Sequence, residues 1–357
     1  MKALLLTAPS TLELTDFPEP AIGADEVLVR VRACGICGSD IHGWDGSSGR
    51  RQPPLIMGHE ASGEVAKVGP AVKRWRAGDR VTFDSTIYCG ECSYCRSGQV
   101  NLCDNRRVIG VSPREYKQHG AFAEYVAVPS RILYRLPDPL GFPQAAMIEP
   151  VSIAVHAVRR VMSDAGSQRG PRQSELGGPA VAVVVGSGMI GLLVIQTLRW
   201  AGIEQVIAVD LEDKRLAVAR ALGATHTLNS ASADVAEEVA RLTQGRGADY
   251  AFEVVGISPT LALALASLRR GGSAVLVGNL SAKTDFPMQA VVTRELTLYG
   301  TCASAGEYPL CLDLIAQGII RVEPMMTAVA PLEEGKAWFE RLSAKGGGQY
   351  MKVILTP

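Results

Sequence analysis

The stretch Val181-Ala182-Val183-Val184-Val185-Gly186-Ser187-Gly188-Met189-Ile190-Gly191 decides the fold. Its unbroken apolar run reads as a strand buried on both faces, and the glycine-rich turn behind it opens a helix. Gly186 permits the tight turn. Gly188 lets the backbone approach a pyrophosphate, and Gly191 lets the helix pack closely on the strand. The helix N-terminus, with Met189 and Ile190 in its first turn, offers free N–H groups to the anion. Asp210 ends the next apolar run, about 20 residues on, where a carboxylate accepts hydrogen bonds from ribose hydroxyls. A carboxylate there repels a 2′-phosphate, and Leu211 follows rather than an arginine, so NAD is expected over NADP. The plain alternative for Asp210 is a helix N-cap. Arg215 either lies along the adenine or solvates its helix.

Working outward, apolar runs recur at Gln205-Val206-Ile207-Ala208-Val209, Tyr250-Ala251-Phe252-Glu253-Val254-Val255 and Ser273-Ala274-Val275-Leu276-Val277. Helical patterns lie between them at residues 191–200, 213–222, 233–242 and 260–268. Strands alternating with helices imply a doubly wound parallel sheet, so residues 151–294 read as one α/β domain. Residues 1–150 read differently, as short alternating strands broken by Gly and Pro, such as Val27-Leu28-Val29-Arg30-Val31 and Phe122-Ala123-Glu124-Tyr125-Val126-Ala127-Val128. They imply an antiparallel, barrel-like β domain. The tail from residue 295 ends in Tyr350-Met351-Lys352-Val353-Ile354-Leu355, a strand with no place in a completed parallel sheet, and is expected to return to the first domain. A polar stretch at residues 163–179 reads as a long loop.

Composition narrows the function. The chain has 357 residues, with 36 basic and 36 acidic side chains, 47% hydrophobic and 20% charged. That is ordinary globular composition, and a chain without basic excess is not expected to bind nucleic acid. No run is long enough for a membrane span. The N-terminus lacks the features of a signal peptide, so a cytoplasmic protein is expected.

The eight cysteines are not spread like a disulfide scaffold. Cys89-x-x-Cys92-x-x-Cys95 followed by Cys103 has the spacing of four thiolates closing a tetrahedron around Zn²⁺. A closed tetrahedron has no position for substrate, so that zinc is expected to be structural. Cys37-Gly38-Ser39-Asp40-Ile41-His42 and Gly58-His59-Glu60 offer a second set. Cys37, His59 and a carboxylate give three ligands and leave one position open, as a catalytic zinc requires. Cys302 and Cys311 have no ligand spacing and read as buried small hydrophobes.

These motifs, in this order, resemble the zinc-dependent medium-chain dehydrogenase family, in its polyol branch of sorbitol and galactitol-1-phosphate dehydrogenase-like members. The resemblance covers nearly the whole chain: Gly35-Ile36-Cys37-Gly38-Ser39-Asp40-Ile41-His42, Gly58-His59-Glu60, the four-cysteine lobe, Met147-Ile148-Glu149-Pro150 and the glycine loop. It implies a GroES-like β-barrel catalytic domain over 1–150, with 295–357 returning to it, and a Rossmann NAD-binding domain over 151–294. Cys37 and His59 then match zinc ligands. Glu60 matches a glutamate that binds the metal or swings on and off it. Glu149 matches a position that is glutamate in the polyol branch and binds zinc directly or through water; which of the two is the resting ligand stays open. Asp40 is implied to orient a ligand histidine. Ser39 and His42 match a proton relay, against plainer readings as a turn cap and a surface histidine. Ile153 and Trp44 lie near these motifs, the first packing on nicotinamide or in a core, the second lining the substrate cleft or simply packing.

The chain departs from the family pattern after Gly300, where polyol members often carry an arginine and this sequence reads Thr301-Cys302-Ala303-Ser304-Ala305. The resemblance implies a homodimer or homotetramer with two zincs per chain and an active site in the cleft between the domains. It implies hydride transfer between NAD and a secondary hydroxyl of a polyol, or the matching ketose. The rival readings are a smaller alcohol or diol dehydrogenase, of the butanediol or threonine type, and a catalytically silent nucleotide-binding relative.

Overall fold

Val181–Val185 is buried at all five positions, because strands pair with it on both sides. In the computed structural model, which describes residues 1–162, 174, 177–344 and 349–357, it belongs to a unit of Val151–Ala303 with Ile319–Arg321. The unit holds a six-stranded sheet, every neighbour parallel. The order is His226–Asn229, Gln205–Asp210, Val181–Val185, Ala248–Glu253, Leu268–Leu276, Thr297–Gly300. From Val181–Val185 the chain first builds one way, to Gln205–Asp210, and later the other way, to Ala248–Glu253. That reversal opens a crevice beyond the strands' carboxyl ends, at the glycine turn. Helices Met189–Trp200, Asp213–Ala221, Val235–Leu242 and Ser258–Ser267 fill the intervals.

Two strands differ from the sequence reading. His226–Asn229 is half-buried throughout and carries no apolar run, because an edge strand is paired on one side only. Thr297–Gly300 extends the parallel sheet beyond residue 295, pairing Thr297 with Ser273 and Gly300 with Leu276. Residues 295–303 and Ile319–Arg321 therefore stay with this unit, and the rest of the tail, Ser304–Gly318 and Val322–Pro357, belongs to the other. Most of the loop expected at 163–179 lies outside the described residues. Ser174 is described: its hydroxyl donates to Asp249 Oδ1 at 2.6 Å.

The other unit comprises Met1–Pro150, Ser304–Gly318 and Val322–Pro357. Its hub is Glu26–Gly35, antiparallel to Glu60–Val68, to Tyr125–Pro129 and to the last strand, Lys352–Thr356. Val27, Val29 and Val31 belong to the core and Arg30 is exposed, while Leu28 between them is buried as well, so the strand's second face is covered in part. Register shifts in the pairing of Glu26–Gly35 with Glu60–Val68 mark bulges, and Gly63 lies there because a Cβ would sit 2.0 Å from the Arg30 carbonyl oxygen. The core gathers Leu4, Phe83, Phe122, Phe339, Val353 and Leu355. Trp44 is part of it, edge-on to Phe339 with centroids 6.1 Å apart, so it packs rather than lines a cleft.

Cys311 is buried in helix Tyr308–Ala316. Cys302 is exposed, contrary to the reading of both as buried, because it lies past the end of Thr297–Gly300 where the sheet no longer covers it. Among the described residues no helix is long and apolar enough to cross a membrane.

Candidate active site

The glycine loop has the shape its sequence demands. Gly186 takes a φ of +102°, and a Cβ on Gly191 would lie 1.9 Å from the Gly186 carbonyl oxygen. A Cβ on Gly188 would meet nothing within 4 Å, so the backbone there is open to a ligand. Gly188 caps Met189–Trp200 without a side-chain hydrogen bond, leaving first-turn N–H groups for an anion. Asp210 is not an N-cap: the next helix starts at Asp213 behind Glu212. Its Oδ2 accepts from Ser187 N–H at 2.7 Å and its Oδ1 from Glu212 N–H at 3.0 Å. Arg215 lies 3.9 Å from Asp210 and 3.5 Å from Glu212. An uncapped helix start, an open glycine and an anchored carboxylate fit a dinucleotide's pyrophosphate and ribose.

The thiols of Cys89, Cys92, Cys95 and Cys103 all lie within 4.8 Å of one another. Cys89 N–H donates to Cys103 Sγ at 3.3 Å, Cys92 N–H to Cys89 Sγ at 3.4 Å and Cys95 N–H to Cys92 Sγ at 3.5 Å. Backbone donors from Glu91 and Cys92 pull the Cys89 thiol down to about 6, whereas Cys95 is pushed up to about 12 by burial and its neighbouring sulfurs. The lobe fits a tetrahedral metal.

A second cluster joins Cys37, His59 and Glu60, also within 4.8 Å. Cys37 precedes helix Gly38–Trp44, and Glu60 opens strand Glu60–Val68. Glu60 is fully buried. Lys352 Nζ donates to its Oε2 at 2.5 Å and to the Ile36 carbonyl at 3.0 Å, while its Oε1 has no hydrogen-bond partner. A buried carboxylate oxygen left bare beside a thiol and an imidazole is a fit for a cation.

Asp40, also fully buried, ties this cluster together. Its Oδ2 accepts from Cys37 N–H at 3.1 Å and its Oδ1 from Arg51 Nη2 at 3.0 Å, and Oδ1 is 3.4 Å from His59 Nδ1. Burial works against its charge, but His59 and Arg51 hold its carboxyl down at about 2. Burial likewise opposes a charged His59, yet Asp40 and Cys37 raise it well above the usual imidazole range.

Glu149 falls outside the 4.8 Å cluster. It sits in the first turn of Ile148–Met162, where Ser85 Oγ donates to its Oε1 at 3.3 Å. Burial pushes its carboxyl up, with the like charge of Glu60 adding to the effect. Cys37, Gly38, Ile41 and His42 line a cavity of about 400 Å³, bounded opposite by Leu342, Ser343, Tyr350 and Met351. Ser39 and His42 are exposed on helix Gly38–Trp44, and Ser39 Oγ accepts from Arg51 Nη2 at 3.0 Å. Ile153 is half-buried.

Sequence reasoning passed over Lys352, Arg51 and Ser85. Only Lys352 left a signal, a charge opening the otherwise apolar strand Lys352–Thr356.

Comparison with known proteins identifies the family. Residues 23–138 match the alcohol dehydrogenase GroES-like domain, and residues 190–317 match the zinc-binding dehydrogenase domain. Sorbitol dehydrogenase from Bacillus subtilis is 33% identical over 100% of this chain and 97% of its own length. The structure of galactitol-1-phosphate dehydrogenase from Escherichia coli superposes with a TM-score of 0.89 at 25% identity, covering 100% of both chains. A zinc-binding dehydrogenase from Sinorhizobium meliloti bound to NADP gives 0.87 at 30% identity, covering 100% of this chain and 99% of that one. A chain that holds both a barrel-like unit with two thiol-containing clusters and a unit with a parallel sheet and an open glycine loop thus has whole-length counterparts, and the chain belongs to the zinc-binding alcohol dehydrogenase family.

Proposed function

We propose that the protein is an NAD-dependent, zinc-dependent polyol dehydrogenase that interconverts a secondary hydroxyl of a free or phosphorylated sugar alcohol with the matching ketose. The observation that carries this reading is the cluster of half-buried Cys37 with buried His59 and Glu60 and its bare carboxylate oxygen, in one chain with a dinucleotide loop. When bound, zinc supplies a Lewis acid for the substrate oxygen and NAD the hydride acceptor.

The chain's own residues do the rest. Cys37, His59 and Glu60 hold the catalytic metal, with Glu149, steadied by Ser85, as the alternative carboxylate. Asp40 fixes the ring orientation of His59. Ser39 takes the proton that the substrate hydroxyl gives up, and the exposed His42 passes it to solvent. Cys89, Cys92, Cys95 and Cys103 hold a structural zinc. Gly186, Gly188, Met189, Ile190 and Gly191 receive the pyrophosphate. Asp210 accepts from the ribose hydroxyls and disfavours a 2′-phosphate, with Arg215 beside it.

Among the described residues Thr297–Gly300 is the end strand of its sheet, and with exposed Met288 and Val292 on the preceding helix it supports a homodimer or homotetramer. Clustered reduced thiols support a cytoplasmic setting.

The test is turnover of free and phosphorylated hexitols and pentitols with NAD and with NADP, alongside short alcohols, butanediol and threonine, on protein of measured zinc content. Polyol oxidation with NAD is expected. Turnover of short alcohols, butanediol or threonine alone overturns the substrate class. Preference for NADP overturns the role given to Asp210, and no turnover by the zinc-loaded chain overturns the reading.

A further inference from the structure

Arg51 is only 7% exposed. Its backbone is clamped by a parallel bridge to Ser112, with Gln52 N–H donating to Ser112 O at 3.1 Å and Ser112 N–H to Arg50 O at 3.0 Å. Its side chain crosses helix Gly38–Trp44 at Gly43, where a Cβ would lie 1.9 Å from Arg51 Cδ. From there Nη2 donates to both Ser39 Oγ and Asp40 Oδ1, each at 3.0 Å. Neutralising a buried guanidinium explains the bond to Asp40, but not the bond to Ser39. Nor is the site arranged for stability alone: Arg51 Nε is buried without a hydrogen-bond partner, and apolar packing often serves a core as well as a buried ion pair.

We propose that Arg51 is a positioning residue that sets the Ser39 hydroxyl for proton transfer. The inference rests on the dehydrogenase reading and on Ser39 as its relay. A serine hydroxyl has one proton and two lone pairs. The Arg51 N–H occupies one lone pair, so the Ser39 proton cannot point at Arg51. The other lone pair is left for the proton arriving from the substrate hydroxyl, while Ser39's own proton leaves towards His42 or solvent. One proton enters, one departs, and Ser39 is regenerated. The anchor is Asp40, itself fixed by the Cys37 N–H, so a single guanidinium nitrogen ties the relay to the residue that steadies His59.

The test compares Arg51→Met, Arg51→Lys, Ser39→Ala and the Arg51→Met/Ser39→Ala double variant. Arg51→Met is expected to lower kcat about 10- to 100-fold, less than the about 100- to 10,000-fold of a whole proton-transfer contribution, because Ser39 itself remains. It should enlarge the solvent deuterium isotope effect on kcat and leave KM for NAD unchanged. Zinc content and the visible spectrum of the cobalt-substituted protein should match the wild type. Arg51→Lys should restore most of the rate, and Arg51→Met should cost nothing further once Ser39 is alanine. A wild-type kcat and isotope effect in Arg51→Met, a rate loss that follows zinc loss, or additive losses in the double variant overturn the proposal. Where Arg51→Met fails to fold, a cycle of Arg51→Ala, whose shortened side chain admits water to Asp40, with Ser39→Ala decides by the same readings. A wild-type chain without NAD-linked alcohol turnover refutes the dehydrogenase reading and this inference together; an active wild type with an unresponsive Arg51→Met refutes this inference alone.

Discussion

The two thiol clusters are built by opposite means. The lobe of Cys89, Cys92, Cys95 and Cys103 takes its donors from one short segment, and its sulfurs are steadied by that segment's own N–H groups. The Cys37–His59–Glu60 cluster draws on two separate segments, the turn before helix Gly38–Trp44 and the start of strand Glu60–Val68, and its charges are steadied by buried partners: Lys352 on Glu60, Arg51 and His59 on Asp40. A local site can close on itself and has structure as its product. A site assembled across the fold can leave a position open, because surrounding packing rather than a fourth ligand holds it in shape.

The comparison breaks if the two sites answer alike to loss of a ligand. Cys103→Ser should have the largest effect, since apparent binding energies of structural zinc are of order 10 kcal/mol. Zinc content should fall by one per chain, the 89–103 segment should become protease-sensitive, and the unfolding temperature should drop sharply. Cys37→Ala should do the reverse: kcat falling about 1,000-fold or more, equivalent to about 4 kcal/mol, with NAD binding and the melting curve little changed. Unaltered melting in Cys103→Ser, or retained turnover in Cys37→Ala, would remove the distinction.

The same contrast decides what the sequence disclosed. The lobe and the glycine loop are legible because their chemistry lies within one segment, and the apolar runs announced the parallel sheet. Lys352 and Arg51 are not legible as partners: Lys352 meets Glu60 across 292 positions, and Arg51 reaches Asp40 only because Gly43 leaves a passage. Which carboxylate joins Cys37 and His59 was open in the sequence for the same reason, since both glutamates follow motif residues and only tertiary placement separates them. His226–Asn229 escaped because an edge strand needs no apolar run, and the fate of residues 295–303 because Thr297–Gly300 is a strand only by virtue of Leu268–Leu276 beside it.

The buried partner of Glu60 sharpens the comparison at the next level. In the zinc-free protein Lys352→Met removes the cation and leaves a fully buried carboxylate uncompensated, so a stability loss of about 3–5 kcal/mol is expected by denaturant unfolding. Adding Glu60→Gln should recover much of it, because the stranded charge is then gone. Equal losses in the single and double variants would show that Lys352 acts through packing alone. The lobe, whose charges face backbone donors, offers no such compensating pair.

The smallest effect concerns Asp84, 2% exposed and near Glu149. Burial raises its carboxyl from 3.8 to about 7, although Thr86 N–H donates to its Oδ1 at 2.8 Å. The folded chain therefore keeps this proton at pH values where the unfolded chain has released it, and stability falls as pH rises from about 4 to about 7. About three pKa units set a ceiling of about 4 kcal/mol on that loss. Asp84→Asn keeps the acceptor for Thr86 and abolishes the charge, so at pH 8 it should be more stable than the wild type by about 2 kcal/mol, half that ceiling. The gain should shrink towards zero as the pH approaches 4, where both forms are neutral. Urea unfolding at several pH values measures it, and a gain of the same size at every pH would mean that the carboxylate in this region is stabilised as fully as the thiolates of the lobe, leaving burial without the electrostatic cost that separates the two sites.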